Sequence, residues 1–104
     1  MSEAVISTFS RRLQAARLAA GLSQKGLGIA AGLDEFVAST RINRYERGVH
    51  IPDPVMAAQL AKALGIPRAY FYADDPALAN LILAYAALDR SKRARALKML
   101  EAGE

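Results

Sequence analysis

Cysteine is absent from these 104 residues. That excludes a disulfide scaffold, a thiolate metal site and a cysteine nucleophile. Histidine occurs once, as His50, so one chain cannot form a His–His metal pair or a histidine relay. Long apolar runs are missing too. The opening residues, Met1 to Ile6, lack the apolar centre of a signal peptide. The most apolar stretch, Ala77 to Leu88, is 12 residues long, against the ~20 needed to span a bilayer. There is no linker rich in Gly, Pro and Ser, no internal repeat, and no alternating β-branched run that would mark a strand. Serine, aspartate and histidine form no nucleophile relay pattern, and neither a phosphate-cradling glycine loop nor a metal-ligand cluster is visible. The expectation is a cytoplasmic, non-enzymatic chain with no cofactor and no metal.

What is present is helix-forming. Apolar residues make up 53%, enough to bury a core. The net charge of +4 leans toward an anionic partner. The excess falls in two blocks: residues 1–50 carry seven basic and four acidic side chains, and residues 76–104 carry five and three.

Helix punctuation divides the chain into seven segments. The first runs about Thr8 to Ala20, with Phe9, Leu13 and Ala16 on one face and Gly21 as its stop. The second follows Ser23, a good N-cap, and runs to about Ala31 before Gly32. Its Gly26 and Gly28 each cost up to ~1 kcal/mol relative to alanine in a helix, so tertiary packing must hold it, and a small residue suits a close helix approach. The third includes Ser39 to Glu46 and ends at Gly48. The fourth is bounded by Asp53, Pro54 and Gly65. A short helical turn covers Pro67 to Tyr72, with Phe71 expected in the core. The sixth opens at Asp75 and Pro76 and runs to about Leu88. The seventh follows Asp89 and ends near Gly103.

Segments two and three form a helix-turn-helix candidate. Ala38, Ile42 and Tyr45 lie at i, i+4 and i+7 and suit the inner face of the second helix. Thr40, Asn43, Arg44 and Arg47 fall on the other side, which offers donors and acceptors without a large aliphatic group. That is the chemistry needed to read base edges in the major groove.

With these residues in view, the chain resembles the Cro/lambda-repressor type helix-turn-helix family of XRE-like transcriptional regulators. The resemblance rests on Arg17 to Gln24 (RLAAGLSQ), Leu27, Ile42 to Gly48 (INRYERG), Pro52, and Leu60 to Ile66 (LAKALGI), in order and at near-family spacing. It covers about residues 9–72. It implies an all-α, five-helix DNA-binding domain over 7–73, followed by a C-terminal helical extension over 74–104 with one or two further helices. It also implies roles. Gln24 would contact a phosphate at a helix N-terminus. Ser39, Thr40 and Arg44 would face bases, with Asn43 close by, and Arg47 would reach the DNA backbone. Arg17 and Glu46 would form a structural ion pair. Within the motif Lys25 is also a DNA contact, and His50 is a loop residue within reach of a phosphate.

One feature departs from the family. Between Gly32 and the Glu46–Gly48 stretch lie some four residues more than usual. Either Asp34 caps a recognition helix one turn longer, or residues 34–38 form a longer loop. Four residues approximate one 3.6-residue turn, so a longer helix keeps its faces in register and places Phe36 beside Thr40 and Arg44.

In the extension, Leu78, Leu81, Ile82 and Tyr85 share one broad face, and Leu97 lies on the last helix. A stripe this wide suggests burial on two sides: one can dock on the five-helix domain, and the other needs a partner, either the last helix, through Leu97 and Leu100, or a second chain. These five residues are the candidate dimer interface. Two recognition helices ~34 Å apart would read a palindromic operator. Lys92, Arg93, Arg95 and Lys98 read as the wet side of an amphipathic helix. The function expected is a sequence-specific regulator of double-stranded DNA, a repressor or controller-type switch acting as a homodimer. The alternative is an antitoxin-like interaction module whose main partner is another protein.

Overall fold

The computed structural model describes residues 3–103, with side chains from Thr8 onward. Among the described residues all regular structure is helical: α1 (Glu3–Ala19), α2 (Gln24–Ala30), α3 (Glu35–Glu46), α4 (Pro54–Leu64), a 3₁₀ turn (Arg68–Tyr72), α5 (Pro76–Ala87) and α6 (Arg90–Ala102). The fifth helical segment of the expected domain is thus the tighter 3₁₀ form. The first helix begins five residues before Thr8. No glycine or proline interrupts residues 3–8, so nothing in that stretch stops the helix from extending backward.

Side-chain caps set most of the boundaries. Ser23 Oγ accepts from the Gly26 amide at 2.8 Å. Asp53, Asp75 and Asp89 accept in the same way from the Met56, Ala77 and Lys92 amides, at 2.8, 3.1 and 2.9 Å. Pro54 and Pro76 occupy the first turn, where no amide hydrogen bond is lost. Each such cap typically contributes about 1 kcal/mol.

The core joins all of these elements except α6. Phe9 and Leu13 of α1, Leu27 of α2, Ile42 and Tyr45 of α3, Leu60 of α4 and Phe71 of the 3₁₀ turn are buried together. Phe71 is fully buried, as expected, and its ring lies 4.9 Å from that of Phe9. Tyr70 is buried beside it and Tyr72 sits at the rim. The α2–α3 pairing is the closest. An ideal Cβ built on Gly28 would lie 2.6 Å from Ala38 Cβ, so only glycine permits this approach. The small residue that segment two called for therefore sits at the helix crossing.

The sixth segment docks on the same core. Ala79 is buried, and Ile82 and Leu83 pack against the cluster. These residues form the docked one of the two sides on which the stripe is expected to be buried. Ile82, grouped with Leu78, Leu81 and Tyr85, turns toward the core, and Leu83, placed off-centre, joins it. The side that docks is chosen by the small Ala79, which lets α5 approach. Leu78, Leu81 and Tyr85 stay exposed. Every side chain of α6 is at least partly exposed, Leu97 and Leu100 included. The molecule measures 49 × 29 × 22 Å along its principal axes. No helix among the described residues is long and apolar enough to cross a membrane.

Candidate nucleic-acid interface

The site is built on α3. Asp34 takes an extended backbone and accepts from the Phe36 amide at 2.9 Å, so residues 35–38 are helical. Of the two readings of the extra residues, the longer helix is the one observed. Both ends are closed by glycines in the left-handed region: Gly32 (φ 96°) before α3 and Gly48 (φ 72°) after it. At each, the next amide reaches back to close the turn, Leu33 N–H to Gly28 O at 2.9 Å and Val49 N–H to Arg44 O at 3.0 Å.

The inner face of α3 is held from three directions. Ala38 abuts Gly28 of α2. Ser10 Oγ of α1 donates to the Tyr45 carbonyl at 2.9 Å. Arg17 then ties the C-terminal end. Its Nε donates to Glu46 Oε2 at 2.6 Å, its Nη2 to Oε1 at 3.0 Å and its Nη1 to the Leu22 carbonyl at 2.9 Å. The two side chains are only 10% and 3% exposed. A fork this well satisfied offsets the desolvation of its charges. The hydrogen bond to Glu46 is the main reason the guanidinium holds its proton more tightly than a free arginine, outweighing the opposing effect of burial.

With that face buried, the opposite arc points to solvent. Phe36, Thr40, Arg44 and Arg47 are exposed along it, with Ser39 exposed and Asn43 half-buried on its flank. Lys25 is exposed at the start of α2. Gln24 is half-buried, and its Nε2 donates to Glu46 Oε1 at 3.2 Å. The residue expected to meet a phosphate is thus also coupled to the ion pair that fixes α3. His50 is exposed in the α3–α4 loop, where it lines a hollow of about 490 Å³ with Arg41, Arg44, Asp53, Val55 and Gln59.

Arg41 joins this surface although the motif does not single it out. Its guanidinium lies 5.7 Å from the Tyr45 ring centroid and donates to Tyr45 Oη at 2.8 Å. The i, i+4 spacing of an arginine and a tyrosine was the available signal. The result is three arginines, Arg41 and Arg44 on the last two turns of α3 and Arg47 at its C-cap, at the helix end that favours cations.

Comparison with known proteins agrees with this geometry. A family model described as a helix-turn-helix domain matches residues 8–70. A solved structure, the crystal structure of transcriptional regulator BswR, is similar to this chain at 43% identity with a TM-score of 0.85, covering 89% of this chain and 92% of that one. That share exceeds what residues 8–70 supply, so the likeness runs on into α5 and α6. No curated protein matches. The sequence motifs from Arg17 to Ile66, the buried Arg17–Glu46 fork and a family match over more than half of the residues converge, and the chain belongs to the XRE-like helix-turn-helix family.

Proposed function

We propose that this protein is a sequence-specific regulator of transcription that binds double-stranded DNA in the cytoplasm as a homodimer, occupying a palindromic operator as a repressor or controller-type switch. One observation carries the reading: the exposed arc of α3, bearing Thr40, Arg44 and Arg47, on a helix whose inner face is fixed by Gly28, Ser10 and Arg17. A rigid helix with a free polar face is what insertion into a major groove requires. Arg44 pairs in bidentate fashion with a guanine edge. Thr40 reads beside it, Ser39 and Asn43 serve on the flank, and Phe36 lies at the leading end. Gln24, Lys25, Arg47 and His50 contact phosphates and set the register. The likeness to a transcriptional regulator at 43% identity supports the regulatory role.

The dimer rests on the α5–α6 face. Leu78, Leu81, Tyr85 and Leu97 are exposed large apolar side chains on adjacent helices. α6 is tied to α5 by Arg93, which donates to the Tyr85 and Ala86 carbonyls, but it buries no apolar side chain; a 13-residue helix so lightly packed is marginal, and a second copy supplies the missing burial. The same face would serve a different protein partner, so sedimentation with no other protein present, with and without operator DNA, separates the two: a dimer at micromolar concentration favours self-pairing, and a monomer even with operator DNA overturns it. Selection of bound sites from random duplex DNA tests the whole reading. A two-fold symmetric consensus with half-sites one helical turn apart is expected, and equal affinity for selected and random duplexes refutes it.

A further inference from the structure

The exposed side of α3 is divided along its length. Its N-cap Asp34 and first-turn residues Glu35, Phe36 and Val37 include no cation, and the arginines follow from position 41: Arg41 and Arg44 in the helix and Arg47 at its C-cap. Phe36 is 87% exposed and Val37 42%. Neither belongs to the buried core, so the fold gives no reason for an aromatic ring at position 36. The ring lies one turn before Thr40 and two before Arg44, on the same line of the helix. The carboxylates of Asp34 and Glu35 beside it make this end unfit for a phosphate contact. In a major groove, the base-edge group that takes an apolar contact is the thymine C5-methyl.

Resting on the DNA-binding reading above, we propose that Phe36 is a specificity-determining residue that packs its ring on the C5-methyl of one thymine in each half-site. The extra turn of α3 places it there. Eight residues separate Phe36 from Arg44, roughly 12 Å at 1.5 Å per residue. At 3.4 Å per base step, the thymine lies at most about three to four base pairs from the pair that Arg44 reads. The half-site is therefore polarised: an arginine-read base pair at one end, a methyl-read thymine at the other.

The test uses the full chain and the operator obtained by site selection, with each thymine replaced in turn by deoxyuridine, which lacks only the methyl. At one thymine per half-site, wild type is expected to lose about four-fold in affinity, the equivalent of one buried methyl-sized group. Phe36→Ala should lose a similar factor on the thymine operator and nothing more on the deoxyuridine one. Because position 36 is exposed, thermal unfolding of the variant should match wild type, which separates reading from folding. The inference is overturned if no thymine methyl matters, or if the deoxyuridine penalty is the same with and without Phe36. Wild type that selects no sequence at all would overturn the DNA-binding reading itself. Selective binding with a penalty independent of Phe36 would overturn only this assignment.

Discussion

An alanine at position 28 would place its Cβ 2.6 Å from Ala38 Cβ, 2.9 Å from Ala38 Cα and 3.0 Å from the Ala38 carbonyl oxygen. Carbon atoms settle at about 3.5–4.0 Å, so α2 and α3 must part by about 1 Å. No side-chain rotation relieves the contact, since an alanine Cβ has no rotamer and the other two atoms are backbone. Parting also loosens the packing around Leu27 and Ile42, both fully buried in the same core. A gap of about 0.5–1 Å forfeits about a quarter to a half of each contact's attraction. Overpacking costs about 1–3 kcal/mol, and two of the three close contacts are to backbone atoms that cannot rotate away, which puts this one at about 2–3 kcal/mol; alanine's better helix propensity returns at most about 1 kcal/mol. The net loss, about 1–2 kcal/mol, lowers the melting temperature by roughly 4–15 °C in a domain of this size. Thermal and urea unfolding followed by circular dichroism measure it. Adding Ala38→Gly removes the 2.6 Å contact but leaves the two backbone ones and puts a glycine inside α3 at a cost of up to ~1 kcal/mol, so wild-type stability should not return. Gly28→Ala with stability equal to or above wild type would refute the argument, because propensity alone would then decide.

Four further outcomes follow from the same geometry. Arg44→Ala should cost ~1–3 kcal/mol on the operator and relax specificity at one position, whereas Arg47→Ala should weaken all sequences alike and reduce the slope of log affinity against log salt by about one; titrations at several salt concentrations distinguish them. Arg17→Ala leaves the Glu46 carboxylate buried without its partner and should destabilise by about 3–5 kcal/mol in urea unfolding. Leu81→Asp should keep the fold, since Leu81 is exposed, while shifting the sedimenting species to a monomer and weakening operator binding.

Legibility in the sequence followed the range of the interaction concerned. Caps are local, and Ser23, Asp53, Asp75 and Asp89 marked their helices because side chain and amide lie two to three residues apart. The Arg17–Glu46 tie, 29 residues apart, was legible only through the family resemblance. Residues 34–38 were ambiguous because Asp34 suits either a cap or a loop. The decision is tertiary: a helical turn there belongs to a helix that brings Ala38 onto Gly28, and neither residue carries a hydropathy signal that shows it. Which side of α5 docks was not readable for a related reason: Leu78, Leu81, Ile82 and Leu83 are about equally apolar, and the close approach made possible by the small, buried Ala79 distinguishes them only in the folded structure. Arg41 escaped notice because its partner is the hydroxyl of a tyrosine already assigned to the core.

The way the chain leaves its DNA-reading part carries a consequence for the operator. Arg12 of α1 donates from Nε to the Ala73 carbonyl at 3.0 Å and from Nη2 to the Asp74 carbonyl at 3.2 Å, and Thr8 bonds the Asp74 carboxylate. One residue later Asp75 and Pro76 begin α5, which is seated by Ala79, Ile82 and Leu83. The proposed dimer face is thus joined to α3 through packed structure and not through a tether of the Gly/Ser kind. A rigid pair of recognition helices accepts one half-site spacing. Inserting one base pair between half-sites shifts the second by about 3.4 Å and rotates it by about 34°, and simultaneous engagement then fails, with an expected loss of about a hundred-fold. Inserting a full turn restores the rotational phase but leaves the second half-site about 34 Å too far, so affinity should stay low. Recovery at a full-turn insertion, measured by titration against the spacing series, would mean that the reading domains swing on a flexible connection and that the Arg12 contacts do not fix their separation.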